Sequence, residues 1–156
     1  MMSPLLMISG LSVQYGDREV LCGIDFQVDA GEIVGVAGES GAGKTTLALA
    51  ITRVVEHLGG RVTGKILFDG RDILNLTAAE LRQLRGRGIS LVFQDAVGAL
   101  NPVACVGRQF EDVLRAHERL SREEIRRRRA ELLRKVQLAV VFFRARNVAD
   151  PLNLNL

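Results

Sequence analysis

Residues Gly38-Glu39-Ser40-Gly41-Ala42-Gly43-Lys44-Thr45 constrain this chain more than any other stretch. They match G-x-x-x-x-G-K-[ST], the pattern of a phosphate-binding loop, at every defined position. Glycines at 38, 41 and 43 let the backbone take conformations that a Cβ would obstruct, so that successive N–H groups can turn toward one anion. Lys44 supplies a point charge for the β- and γ-phosphates, and the Thr45 hydroxyl is suited to Mg²⁺. Residues 46–51, Thr-Leu-Ala-Leu-Ala-Ile, read as a helix whose first turn presents a partial positive charge to the same anion.

Such a motif needs a strand before it and a helix after it. Residues 32–37, Glu-Ile-Val-Gly-Val-Ala, form a short β-branched apolar run that predicts a buried strand leading directly into the loop. Strand, loop and helix therefore follow in the required order.

A chain of 156 residues with 47% hydrophobic and 25% charged residues is long enough for one globular domain with a substantial core. No apolar run approaches the roughly 20 residues of a membrane span. Residues 1–9 lack the basic and apolar regions of a secretion signal, which gives a cytoplasmic location as the expectation. The formal charge of +3 is concentrated around 122–134, where acidic residues are interspersed. With 4% aromatic residues and no tryptophan, few stacking platforms exist for single strands, and no nucleic-acid partner is expected. Cys22 and Cys105 are far apart in sequence and lack a C-x-x-C pattern, as expected of reduced thiols.

Ahead of the loop, 5–13 and 20–28 read as two strands joined at Tyr15-Gly16-Asp17, an antiparallel β piece. Tyr15, the one tyrosine, suits a half-buried strand end or a ring stacked on a nucleobase. The helix after the loop is expected to end near His57, before Leu58-Gly59-Gly60. Residues 62–68 read as a strand closing at Asp69-Gly70, and Thr77-Ala78-Ala79-Glu80 is a capping box that starts a short helix to about Arg85.

Residues 89–95, Ile-Ser-Leu-Val-Phe-Gln-Asp, are the second informative stretch: an apolar strand that delivers Gln94, an amide able to accept from a water and donate to an oxyanion. Asp95 is the alternative, as a metal-holding aspartate. Residues 107–117 and a segment starting at Ser121 read as helices, the second with the charge run Arg126-Arg127-Arg128-Arg129.

With Tyr15, the phosphate loop and Gln94 in this order, 7–138 resemble the nucleotide-binding subunit of an ABC transporter. Gly64-Lys65-Ile66-Leu67-Phe68-Asp69-Gly70, Leu84-Arg85-Gly86, residues 89–95 and Ala99-Leu100-Asn101-Pro102 are similar to importers of dipeptides, oligopeptides and nickel. The resemblance implies an α/β P-loop NTPase core with an N-terminal antiparallel β subdomain, incomplete in its C-terminal half. It implies ATP and Mg²⁺ as cofactors. Tyr15 would stack on adenine, and Gly38, Ser40, Gly41, Ala42, Gly43, Lys44, Thr45 and Thr46 would hold the nucleotide. Thr45 and Gln94 would face the metal, and Lys44 and Gln94 would carry the chemistry. The implied partners are membrane-spanning permease subunits, a second ATP-binding subunit and, indirectly, a substrate-binding protein, at the cytoplasmic face of the inner membrane.

The family's Leu-Ser-Gly-Gly-Gln signature, its aspartate–glutamate pair and its switch histidine do not occur after Gln94. The expectation is therefore an N-terminal part of such a domain over 1–138, followed by an aberrant tail over 139–156 from a truncated reading frame. A chain of that kind would bind nucleotide and hydrolyse it very slowly or not at all. Two other readings stay open: a non-hydrolysing nucleotide-binding module, and a small phosphate-loop kinase using Asp95.

Overall fold

The computed structural model describes residues 3–95 and 98–135. It divides into two compact units, at 1–91 and from 92 onward, and each is described by itself. The expected change of character at 139 lies outside the described residues.

The first unit is built on a four-stranded antiparallel sheet. Strands β1 (Leu6–Tyr15) and β2 (Arg18–Val28) form a hairpin, β3 (Gly60–Phe68) pairs with the other edge of β1, and β4 (Arg71–Asp72) follows on β3. The order is β2-β1-β3-β4, so β1 is paired on both sides. That position explains its burial pattern, with Ile8, Leu11 and Val13 at 0–2% exposure. They meet Ile66 of β3, Leu21 of β2 and, from the rest of the unit, Leu47, Ala50, Val55, Ile73 and Leu81. Each fully buried branched side chain contributes about 1.5–3 kcal/mol.

The spacing of buried residues in β1 is irregular because both its pairings are bulged. The β1–β3 register shifts between Ser9 and Ser12, where Gly10 takes φ 56°. Across β1–β2 two side chains fill the gaps: Asp25 Oδ1 accepts from Gly10 N–H at 2.7 Å and Ser12 Oγ from Gly23 N–H at 2.9 Å. A bulge leaves backbone donors without a ladder partner, and these polar side chains supply one.

Helix α1 (Lys44–Ile51) is shorter than the expected run to His57. Thr52 ends it: its hydroxyl donates to the Ala48 and Leu49 carbonyls at 3.1 and 3.2 Å. Arg53 then takes a left-handed φ of 54°, and Val54 N–H reaches the Leu49 carbonyl at 2.8 Å. A separate 3₁₀ turn, Val55–Leu58, carries the chain to Gly59.

Helix α2 (Ala78–Arg87) begins with the anticipated capping box. Thr77 N–H donates to Glu80 Oε2 at 2.9 Å and Glu80 N–H to Thr77 Oγ1 at 3.3 Å; Arg71 pairs with Glu80 at 2.9 Å. The Thr77 backbone bond first, then its hydroxyl and Arg71, hold the Glu80 carboxyl below the ordinary carboxylate range. A pKa lower in the folded chain than in the unfolded chain stabilises the fold fully above the unfolded value, and that contribution is lost as pH falls through the folded one. Urea midpoints measured at pH 7 and pH 3 should therefore lie closer together in Glu80→Gln than in the wild type. Equal gaps in the two proteins would remove Glu80 from the acid response.

The expected strands at 32–37 and 89–95 are not strands. Residues 32–37 have no ladder partner, and Ile33 is 97% exposed, Val34 43% and Val36 53%. Val92 and Phe93 are likewise exposed. A strand's hydrogen bonds come from its neighbours, and neither stretch joins the sheet. Ile89 makes an isolated parallel bridge to Arg85.

In the second unit α3 (Val106–His117) and α4 (Arg122–Lys135) pack together, with Ile125 buried. Ser121 and Glu124 make a second reciprocal cap: Ser121 N–H donates to Glu124 Oε2 at 2.7 Å and Glu124 N–H to Ser121 Oγ at 3.3 Å. Among the described residues no helix is long and apolar enough to cross a membrane.

Candidate functional site

The phosphate loop joins the exposed 32–37 stretch to α1, and all of 38–42 is exposed. Gly43 is the N-cap of α1 at φ 88°. Two constraints meet there, because a Cβ on Gly43 would lie 2.6 Å from Leu21 Cδ2 and 3.2 Å from the Val20 carbonyl oxygen. Glycine lets the loop turn left-handed while lying against β2. Helix α1 has no side-chain cap and no acidic residue in its first turn, so its N-terminal donors and positive pole are left for an anion.

The Lys44 side chain folds back along the loop. Its Nζ donates to the carbonyl oxygens of Gly38 and Glu39, both at 2.7 Å, and Ala42 N–H donates to the Glu39 carbonyl at 3.2 Å. An ammonium has three donors. Two fix its position against the loop, and one remains for a phosphate oxygen. Ser40 and Thr45 are exposed and Thr46 is half-buried.

These residues fit a nucleotide's phosphates. For a divalent cation they offer the Thr45 hydroxyl, while no group of three His, Cys, Asp or Glu residues among the described ones is placed to hold a metal. Such a site suits Mg²⁺ that arrives with phosphates, since this ion keeps its waters and takes few protein ligands.

Tyr15 ends β1, opposite Arg18 on β2 and Gly60 on β3. Its ring is half-buried on the core and lies over Gly60, where a Cβ would approach Tyr15 Cε1 to 2.8 Å. The ring is thus held by packing. Gly43 meets β2 at Val20 and Leu21, two to three residues along from Arg18, which is roughly 7–10 Å of strand. Tyr15 and the phosphate loop therefore stand toward the same end of the sheet.

Gln94 belongs to the second unit, exposed in a bend. Asp95 closes a local turn, its Oδ1 accepting from Gly98 N–H at 2.9 Å. The Leu100-Asn101-Pro102 run has a physical basis that the sequence alone did not reveal. Gln109 of α3 bonds both ways to Asn101, accepting from its N–H at 3.0 Å and donating to its carbonyl at 3.1 Å, and also donates to the Ala104 carbonyl at 2.9 Å. Asn101 Oδ1 accepts from Val103 N–H at 3.0 Å, so the run is a turn locked onto the first turn of α3.

Residues 21–150 match the family described as ABC transporter. The chain is 39% identical over 140 residues to a protein of Brucella abortus named for peptide import and ATP binding, covering 87% of this chain and 42% of that protein. It is 36% identical over 134 residues to the oligopeptide transport ATP-binding protein of Bacillus subtilis, covering 83% and 37%. It is 42% identical over 144 residues to the glutathione import ATP-binding protein of Pectobacterium atrosepticum, covering 88% and 22%. The chain thus spans less than half the length of these relatives.

Proposed function

The chain belongs to the ABC transporter family, and from that premise we propose that its phosphate loop binds ATP with Mg²⁺ as part of the ATP-binding subunit of a peptide importer. The observation that carries this reading is Lys44 bonded to the carbonyls of Gly38 and Glu39 beside an uncapped, acid-free helix start. Lys44 neutralises the β- and γ-phosphates, Thr45 faces the metal, and Gly38, Ser40, Gly41, Ala42, Gly43 and Thr46 line the phosphates. Tyr15 offers its ring to adenine. Gln94 acts at the metal and the attacking water. Uptake of peptides, which the relatives' names support ahead of nickel, would follow from work with permease subunits, a second ATP-binding subunit and a substrate-binding protein. This places the chain peripherally on the cytoplasmic face of the inner membrane.

Calorimetric titration with MgATP, followed by phosphate-release assays, tests the reading. Lys44-dependent binding is expected. Multiple turnovers abolished by Lys44→Ala and Asp95→Asn but left intact by Gln94→Ala would replace it with a phosphate-loop kinase.

A stacked aromatic contributes about 1–3 kcal/mol. Tyr15→Phe should therefore keep ATP affinity and Tyr15→Ala should lower it about five- to hundredfold. Unchanged affinity in Tyr15→Ala would leave the ring a structural role only.

A further inference from the structure

Two constraints meet at Arg85. Its guanidinium donates from Nε and Nη2 to the Thr52 carbonyl oxygen at 2.9 and 2.6 Å. Thr52 is the C-cap of α1 and only 7% exposed, so the contact is made at the negative pole of the phosphate-loop helix. Arg53 fastens the same helix end to the segment before α2, donating from Nη1 to the carbonyls of Leu76 at 2.9 Å and Ile73 at 3.4 Å, and pairs with Glu56 at 2.8 Å. Burial first, then the nearby Arg53 charge, weakens the hold of Arg85 on its proton, while Glu56 opposes this. An arginine stays charged nonetheless.

The backbone of Arg85 serves a different contact. It leaves helical geometry at φ −65°, ψ 123°, and Gly86 turns the chain at φ 89°. Inside that turn Gly86 N–H donates to the Ile89 carbonyl at 2.8 Å and Ile89 N–H to the Leu84 carbonyl at 3.0 Å. Arg85 and Ile89 form the isolated parallel bridge. Its side chain therefore holds the far end of the phosphate-loop helix, while the groups on either side of it, the Leu84 carbonyl and the Gly86 N–H, hold Ile89, the first residue of the stretch leading to Gln94.

Resting on the proposed ATP site, we infer that Arg85 is a positioning residue that links nucleotide occupancy at the loop to the backbone of 86–91. Helix α1 has eight residues, a rigid rod of about 12 Å. An anion seated at its N-terminus orders and shifts the whole rod, and the Thr52 carbonyl moves with it. Arg85 grips that carbonyl with a planar two-donor fork, which transmits orientation as well as position. The signal in the sequence was Leu84-Arg85-Gly86, where the glycine permits the turn, although nothing there indicated Thr52 as the acceptor.

Amide hydrogen exchange on the intact chain, with and without MgATP, tests this in wild type, Arg85→Met and Arg85→Lys. In wild type, MgATP should slow exchange at 38–46 and also at 86–91, the latter about two- to fivefold, the scale of a charge at a helix end. Arg85→Met should keep the response at 38–46 and lose it at 86–91. Arg85→Lys should recover part of it, because the ammonium keeps the charge without the fork. Should Arg85→Met fail to fold by circular dichroism, Arg85→Lys decides, and a full wild-type response there overturns the inference. A wild-type response at 86–91 in a folded Arg85→Met would leave Arg85 a simple helix cap and also overturn it. A response at 38–46 without one at 86–91 in wild type would overturn the link alone. No response at 38–46 would overturn the ATP site, and the link with it.

Discussion

Lys44→Ala is expected to lower MgATP affinity by about ten- to hundredfold or more while leaving the sheet intact. A charge-assisted hydrogen bond contributes about 1.5–3 kcal/mol, and each 1.4 kcal/mol is tenfold in affinity. Lys44 takes no part in the apolar core, and its two protein bonds are to carbonyls of its own loop. Removing it should therefore change the unfolding free energy by no more than the small range typical of surface changes, about 0.5 kcal/mol. Calorimetric titration with MgATP reads the first effect and urea denaturation the second. Lys44→Arg keeps the charge on a larger planar head that does not reproduce a compact ammonium at a tight loop, so it should restore affinity only partly. Unchanged affinity in Lys44→Ala would move the nucleotide away from this loop.

Gly64→Ala is the largest stability change expected. Gly64 sits in β3 at φ 100°, and a Cβ there would press on the Gly10 carbonyl and lie 2.9 Å from Leu11 Cα. All the obstructing atoms are backbone of β1, the doubly paired strand, so no side chain can rotate aside. The left-handed conformation adds its own cost. Together these amount to about 2–4 kcal/mol out of a total near 5–15 kcal/mol. The melting temperature should fall on the order of 5–15 °C. Gly59→Ala is the control: its φ is also positive, 77°, but nothing lies within 4 Å of the added Cβ. It should lose only about 1 kcal/mol. Equal losses in the two variants would show that conformation alone, and not contact with β1, is what requires Gly64.

What the sequence made legible was local. The Thr77–Glu80 box, the Ser121 start of α4, the β1–β2 hairpin and the Asp69-Gly70 turn are each specified within a few residues, and all form. The phosphate loop is legible because its glycines and Lys44 act on one another across six residues. Failures came where a partner decides. Residues 32–37 have strand composition, but composition supplies no hydrogen-bond acceptor, and Ile33 faces solvent. The early end of α1 depends on the Thr52 hydroxyl turning back on its own helix, a choice threonine makes only in context. The bulges at Gly10 and Gly23 depend on Asp25 and Ser12, 15 and 11 residues away. Of the site residues, the order Tyr15, loop, Gln94 was readable, whereas the packing of Gly43 against Val20 and Leu21 was not.

The strand order also sets a timetable. Strands β1 and β2 are joined by a two-residue turn, so their hairpin can close in about 1–10 μs once both have left the ribosome. The other edge of β1 waits for β3, which ends 40 residues after Val28. At about 5–20 residues per second that strand follows some 2–8 s later. For that interval the nascent chain exposes a bare β1 edge carrying Met7, Ile8 and Leu11, while the phosphate loop is being synthesised. A translational pause between codons 28 and 68 would lengthen this exposure, and co-translational chaperone occupancy should be highest there. The segment that carries the nucleotide loop is therefore also the delay in closing the sheet.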